Sequence, residues 1–275
     1  MAENYILVAG RDGCGNATFQ NHLVRYLISA EKNFSTELIQ ANGRDSQDIQ
    51  DEWGALWGEG KLAKGAGQPK DYAYRVQPLG KHKDKPPLDF AFREVSGTDL
   101  DTLPATGEGA TSALSKELTA LLGIPNLNLV LVLLCDRDEK AGHDADALNQ
   151  DASLASFIAY LKSNYAEEFA LRCPILLLAP KVREDAGDSQ GVEAFVGDNL
   201  PATLAALEDW QGRYTLGELD MGEFEYAEDG EPLLYSPKFE DTAKIFRWIY
   251  FQFTRYRVVE PFFARLWKSV RKSVS

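Results

Sequence analysis

Gly10-Arg11-Asp12-Gly13-Cys14-Gly15-Asn16-Ala17-Thr18 stands directly after the apolar run Tyr5-Ile6-Leu7-Val8-Ala9 and directly before a stretch of helical periodicity. The apolar run is the pattern of a strand buried on both faces of a parallel sheet. Past the glycines, Phe19, Leu23, Val24, Leu27 and Ile28 recur at helical spacing, which predicts a helix with one buried stripe from about Thr18 to Ala30. A glycine-rich turn from strand into helix lets successive backbone N–H groups point at a bound anion, with the helix N-terminus behind them. Gly10 and Gly15 have the spacing of the phosphate-loop pattern GxxxxGK[ST]. The same turn can also serve tight packing alone, so the positions around it have to decide.

In that pattern the two positions after the last glycine carry a lysine for the β- and γ-phosphates and a serine or threonine for magnesium. Here they are Asn16 and Ala17. Thr18 offers a hydroxyl one position late, and Arg11 a cation from the opposite end of the loop. The candidate nucleotide-contacting residues are therefore Gly10, Gly13, Cys14, Gly15, Asn16, Ala17 and Thr18, with slow or absent hydrolysis as the expectation.

Further along, Leu127–Cys135 and Pro174–Ala179 are two more buried-strand runs. The amphipathic stretch Leu154–Phe169, with Leu154, Phe157, Ile158 and Leu161 on one face, lies between them. A strand, helix, strand unit of this kind implies parallel pairing. Asp71–Leu79 and Leu88–Val95 alternate roughly and are split by Gly80–Pro87, which reads as an antiparallel hairpin. The predicted fold class is α/β, a three-layer, doubly wound, mostly parallel sheet with one antiparallel edge hairpin. The expected organisation is one domain over residues 1–253, with a long polar insert over 39–70 that holds Trp53 and Trp57, followed by a basic amphipathic helix over 254–275. No internal repeat is visible.

Two later strand ends carry further candidates. Phe92-Arg93-Glu94-Val95-Ser96-Gly97 resembles a DxxG motif, with Glu94 where an Asp supports magnesium and Gly97 where a backbone amide meets the γ-phosphate. Glu94 and Gly97 are the catalytic candidates, and Thr18 and Glu94 the metal candidates. Pro180-Lys181-Val182-Arg183-Glu184-Asp185 stands where an [NT]KxD motif reads the base. Lys181 fits, Asp185 lies two residues beyond its place, and Pro180 and Arg183 depart from the pattern, so a solvated charged loop is an equal reading. In order and spelling these motifs resemble a bacterial small-GTPase-like domain of the translation-factor-related class, close to the double-GTPase families. Gly10–Phe19 corresponds to that pattern's GxxGxGKTTF and Glu94–Thr98 to its DVxGE. Tyr235-Ser236-Pro237 leading into Ile245, Phe246, Trp248 and Ile249 corresponds to its final helix.

The resemblance covers roughly residues 4–253 and implies a P-loop GTPase-like fold, with GTP or GDP and Mg2+ as candidate ligands. It further implies an intracellular switch, or a pseudo-GTPase acting as a regulatory or scaffolding subunit beside a protein partner, which can itself be GTPase-like. Two alternatives stay open. One is an active GTP or ATP hydrolase completed by non-standard or partner residues, and the other a nucleotide-independent interaction module that uses the tryptophan-bearing insert or the C-terminal helix.

Composition narrows the classes. A net charge of −13 argues against a nucleic-acid partner, since binding a polyanion requires neutralising its phosphates. Cys14, Cys135 and Cys173 are an odd number, two of them in or beside apolar runs, which suits reduced thiols and a cytoplasmic setting. No stretch approaches the ~20 apolar residues of a membrane span, and the N-terminus does not read as a signal peptide. His22, His82 and His143 have no ligand spacing, and His22, Arg25 and Arg93 have no motif support as catalytic groups. Asp136, Asp138, Asp144 and Asp146 read as a solvated acidic loop. Over residues 258–272 basic side chains oppose a stripe of Val258, Val259, Phe262, Phe263, Leu266, Trp267 and Val270. Such a helix can pack on its own domain, which is the favoured reading, dock on a protein, or lie on an anionic membrane surface.

Overall fold

The computed structural model describes residues 4–12, 14–40, 45–62, 69–103, 114–136, 149–165, 167–180, 191–226 and 232–258. In chain order they form β1 (Asn4–Ala9), α1 (Asn16–Ser29), β2 (Phe34–Gln40), α2 (Ser46–Gly58), β3 (Ala73–Pro78), β4 (Leu88–Val95), α3 (Gly97–Asp101) and α4 (Lys116–Leu122). The chain continues through β5 (Asn128–Leu134), α5 (Gln150–Asn164), α6 (Glu167–Arg172), β6 (Ile175–Pro180), α7 (Val192–Asn199), α8 (Pro201–Asp209), β7 (Tyr214–Leu219), β8 (Gly222–Tyr226), β9 (Pro232–Pro237) and α9 (Glu240–Thr254). A seven-stranded sheet has the order β2-β3-β4-β1-β5-β6-β7, and β8 pairs with β9 in a second, two-stranded sheet. The large sheet is mostly parallel, so the protein is α/β and compatible with a three-layer arrangement.

The strands in the middle of the order are those whose sequence is apolar throughout. β1, β5 and β6 are buried at nearly every position, as strands covered on both faces must be. β5 and β6 run parallel, with Leu131 opposite Ile175 and Leu134 opposite Leu178. The predicted hairpin forms between β3 and β4, where Arg75 faces Asp89 and donates two hydrogen bonds, of 2.8 and 2.6 Å, to its carboxylate. The hairpin does not lie at the sheet edge, however. β2 pairs antiparallel with the far side of β3, from Phe34 opposite Pro78 to Gln40 opposite Ala73. β2, the strand at that edge, alternates, with Phe34 and Leu38 buried and Ser35 and Glu37 exposed, so it carries half the apolar signal of a strand buried on both faces.

Residue contacts divide the chain into two compact units. The first comprises Met1–Ile6, Ala17–Arg93 and Leu219–Glu260. Its core is aromatic: Phe34 lies 5.3 Å from Phe246 and 5.0 Å from Tyr250, and Tyr74 stacks on Phe90 at 5.3 Å. The polar insert contains a helix, α2, whose first turn is capped by the Asp45 carboxylate accepting from the Gln47 amide at 2.7 Å. Ile49, Trp53 and Trp57, four residues apart, form its buried face, with Trp53 edge-on to Tyr72 at 5.4 Å. α1 buries more than its apolar stripe, since Gln20, Asn21 and His22 are buried as well while Ile28 is only half-buried. His22 Nε2 lies 2.9 Å from the Lys238 carbonyl and its ring stacks on Phe239 at 5.1 Å. Arg25 donates to the Leu234 carbonyl at 3.1 Å. α9 is the expected final helix, with Ile245, Phe246, Ile249 and Tyr250 buried.

The second unit comprises, among the described residues, those within Leu7–Asn16 and Glu94–Glu218. In it α5 packs against α3, α6 and α8. The helix expected to continue to Phe169 breaks at Tyr165, which is extended (φ −123°, ψ 151°), and α6 starts afresh at Glu167. Asn164 marks that stop by turning its side-chain amide back to the Tyr160 carbonyl at 2.9 Å. The Asp151 carboxylate, from the first turn of α5, accepts the Ala202 and Thr203 amides at 2.9 and 2.6 Å and so caps α8. All three cysteines are free thiols, and burial pushes the Cys173 thiol up to about 12. Among the described residues no helix is long and apolar enough to cross a membrane. The segment 259–275, which holds nearly all of the predicted basic helix, lies outside the described residues.

Candidate functional site

The glycine-rich loop leaves β1 at Ala9 and enters α1 at Asn16. Gly15 takes a left-handed φ of +85°, a conformation that costs glycine nothing and lets the chain turn into the helix. Gly10 is constrained by space: a Cβ there would lie 2.8 Å from Asn16 Oδ1, 2.9 Å from the Leu134 carbonyl and 3.1 Å from Cys14 Cβ. The Cys14 amide donates to the Arg11 carbonyl at 3.0 Å, closing a tight turn between them. Gly13, within that turn, lies outside the described residues.

Each described side chain of the loop from Arg11 to Asn16 has a protein neighbour. Asn16, 8% exposed, folds back across the loop and donates its amide to the Gly10 carbonyl at 3.1 Å, while its Oδ1 is buried with no hydrogen-bond partner. Cys14 Sγ donates to Gln150 Oε1 at 3.4 Å. Gln150, buried at the start of α5, holds Asp136 at both backbone groups, accepting from its N–H at 2.6 Å and donating to its C=O at 3.0 Å. Arg11 Nε lies 3.3 Å from Asp101 Oδ1, and Ser153 Oγ donates to the same oxygen at 3.2 Å. Asp12 lies on Gly97: a Cβ on that glycine would stand 2.5 Å from Asp12 Oδ1 and 2.6 Å from Asp12 N. Only glycine at position 97 leaves room for the loop there.

The structure therefore brings Gly10, Cys14, Gly15, Asn16 and Gly97 into one neighbourhood. Glu94, half-buried, lies next to last on β4, three residues before that glycine. Ala17 and Thr18 belong to the first turn of α1, exposed and half-buried respectively. Lys181 and Asp185, like Asp138, Asp144, Asp146 and His143, lie outside the described residues. Asp12, Asp101, Ser153 and Gln150 escaped the sequence reading. The one local signal for Gln150 is its place behind Asn149, whose side chain caps α5 through the Ala152 amide at 2.8 Å.

A nucleoside triphosphate with magnesium does not fit this set of residues as they stand. Set against the phosphate-loop pattern, Asn16 puts a neutral carboxamide at the lysine position, and the Asp12 carboxylate lies over Gly97, the candidate for an amide that meets a phosphate. Among the described residues no group of three or more His, Cys, Asp and Glu side chains is placed to hold a metal ion. No protein-family model matches the sequence, and no curated protein matches it either.

Proposed function

We propose that this chain is a pseudo-GTPase or atypical GTPase-like protein of the three-layer, doubly wound, P-loop type, working as a cytoplasmic regulatory or scaffolding subunit with weak or absent nucleotide hydrolysis. The observation that carries the reading is Asn16. It stands where a phosphate-loop lysine would reach the β- and γ-phosphates, and it spends its amide on the Gly10 carbonyl instead. Ala17, exposed and without a hydroxyl, supplies no ligand for magnesium. The placement of the loop between a buried strand and a helix, with Glu94 near the end of β4 and Gly97 opening α3, supports descent from a nucleotide switch, and the side chains support loss of turnover. On this reading the partner is a protein, with GTPase-like chains as the first candidates, and nucleic acid is not a partner. GTP or GDP, where bound, is held without a lysine.

The test is to denature the purified protein, identify any released nucleotide by chromatography, and measure magnesium-dependent GTP hydrolysis beside the Gly15→Val variant. Little or no nucleotide and equal, background rates are expected. Tight GTP or GDP binding with brisk hydrolysis that Gly15→Val abolishes would overturn the reading.

A further inference from the structure

The glycine-rich loop grips α3 at both ends. Consecutive residues, Arg11 and Asp12, meet the last and first residues of α3: the Arg11 guanidinium at Asp101, and Asp12 on Gly97. Every acidic side chain of α3 is already engaged within the protein. Asp101 also accepts from Ser153 on α5, and Asp99 accepts the Ser115 amide at 3.1 Å. Ser96 completes the helix by capping it through the Asp99 amide at 3.0 Å.

In a nucleotide switch, the segment after the DxxG-like strand is ordered by the terminal phosphate and its magnesium, and it relaxes when that phosphate leaves. Here the corresponding ground over Gly97 is taken by the Asp12 carboxylate, a group of the chain itself. A phosphate placed over Gly97 would meet the Asp12 carboxylate, with Asp101 at the far end of the same short helix, bringing phosphate charge among carboxylates. We propose that Arg11 and Asp12 form a protein-only latch that holds α3 in one arrangement whether or not nucleotide is present, so that this former switch segment is permanently set. The proposal rests on the pseudo-GTPase reading above. It adds that a partner recognising α3 does so independently of nucleotide.

Hydrogen exchange on the full chain tests it, with the amides of Leu100, Thr102 and Leu103, which donate to Ser96, Thr98 and Leu100 respectively, as reporters. Their exchange is read relative to amides of β5 and β6, so that global loosening of a variant cancels. Wild-type protection should be unchanged by excess GTP and magnesium. Asp101→Asn, and more strongly Asp101→Asn with Asp12→Gly, should speed exchange of α3 by about tenfold or more while β5 and β6 hold. A wild-type α3 that gains protection on adding GTP, or a double variant that keeps wild-type protection, overturns the latch. Restoring the phosphate-loop residues with Asn16→Lys and Ala17→Thr in the latch-open background separates the two claims. GTP binding by that protein supports the ancestry even if α3 never loosens. Loosening of α3 with no GTP binding by any variant sustains the latch contact and counts against the nucleotide-derived reading.

Discussion

His22 is a buried ionisable side chain of the first unit. Its Nε2 faces a backbone carbonyl, which can only accept, so Nε2 carries the proton of the neutral ring, and the buried Nδ1 has no partner. Burial, more than the nearby Arg25 charge, pushes its pKa down to about 4 from 6.5. Between those two values the unfolded chain takes up a proton that the folded one refuses. Stability is therefore insensitive to His22 above about pH 6.5 and falls as the pH drops towards 4, by about 3 kcal/mol at its limit. Urea denaturation across that window should show a flatter pH dependence for His22→Leu than for wild type. The variant should also lose about 1 kcal/mol at neutral pH with the Lys238 hydrogen bond. Parallel profiles for the two proteins would mean that the imidazole protonates in place. At the loop the constraint is steric, since Gly10 is hemmed in by Asn16 and the Leu134 carbonyl and Gly97 by Asp12.

α2 is an amphipathic helix whose tryptophans act differently. Trp53 is fully buried against Trp57 and Tyr72, so Trp53→Ala should cost about 3–5 kcal/mol through lost packing and the cavity left behind. Trp57 is nearly as buried, but its indole Nε1 has no acceptor, so the ring brings an unpaid desolvation cost with its apolar area. Trp57→Phe removes that N–H and keeps an aromatic ring, and the variant should stay within ~1 kcal/mol of wild type. Denaturant midpoints for the two proteins decide this, and equal losses would contradict it. The helix also explains how a polar insert stays attached: it packs on β2 and β9, and the Leu234 amide donates to the Gly60 carbonyl just past its end at 2.7 Å.

For the whole chain the dominant electrostatic quantity is the net charge of −13. Like charges that far from neutrality oppose compaction, and salt screens them as the Debye length falls from ~30 Å at 0.01 M to ~8 Å at 0.15 M. Raising salt over that range should lift Tm by roughly 2–4 °C, the equivalent of about 1 kcal/mol for a chain of this size. Scanning calorimetry or dye fluorescence reads it directly. A Tm that falls instead would show that partly exposed pairs such as Arg11–Asp101 outweigh the general repulsion.

Much of the architecture was legible in local patterns. Continuous apolar runs marked β1, β5 and β6, helical spacing marked α1, alternation split by a turn marked the β3–β4 hairpin, and the family resemblance pointed to α9. β2, α2, β7 and the β8–β9 pair escaped, because a strand or helix that buries one face can carry as many polar as apolar residues, and glycine within β7 and β8 weakens their pattern further. At the site, the glycine-rich turn between β1 and α1 was readable from spelling and order, and so was Gly97 just after β4. What only the tertiary structure decided is what those residues do to one another: Asn16 closing on Gly10, Asp12 covering Gly97, Arg11 paired with Asp101, and Gln150 joining Cys14 to Asp136. A residue's tendency to be buried or turned is written in its immediate neighbours, which sequence displays. The partner of a polar side chain is set by where the folded backbone brings distant segments together, and that closure is a property of the whole chain.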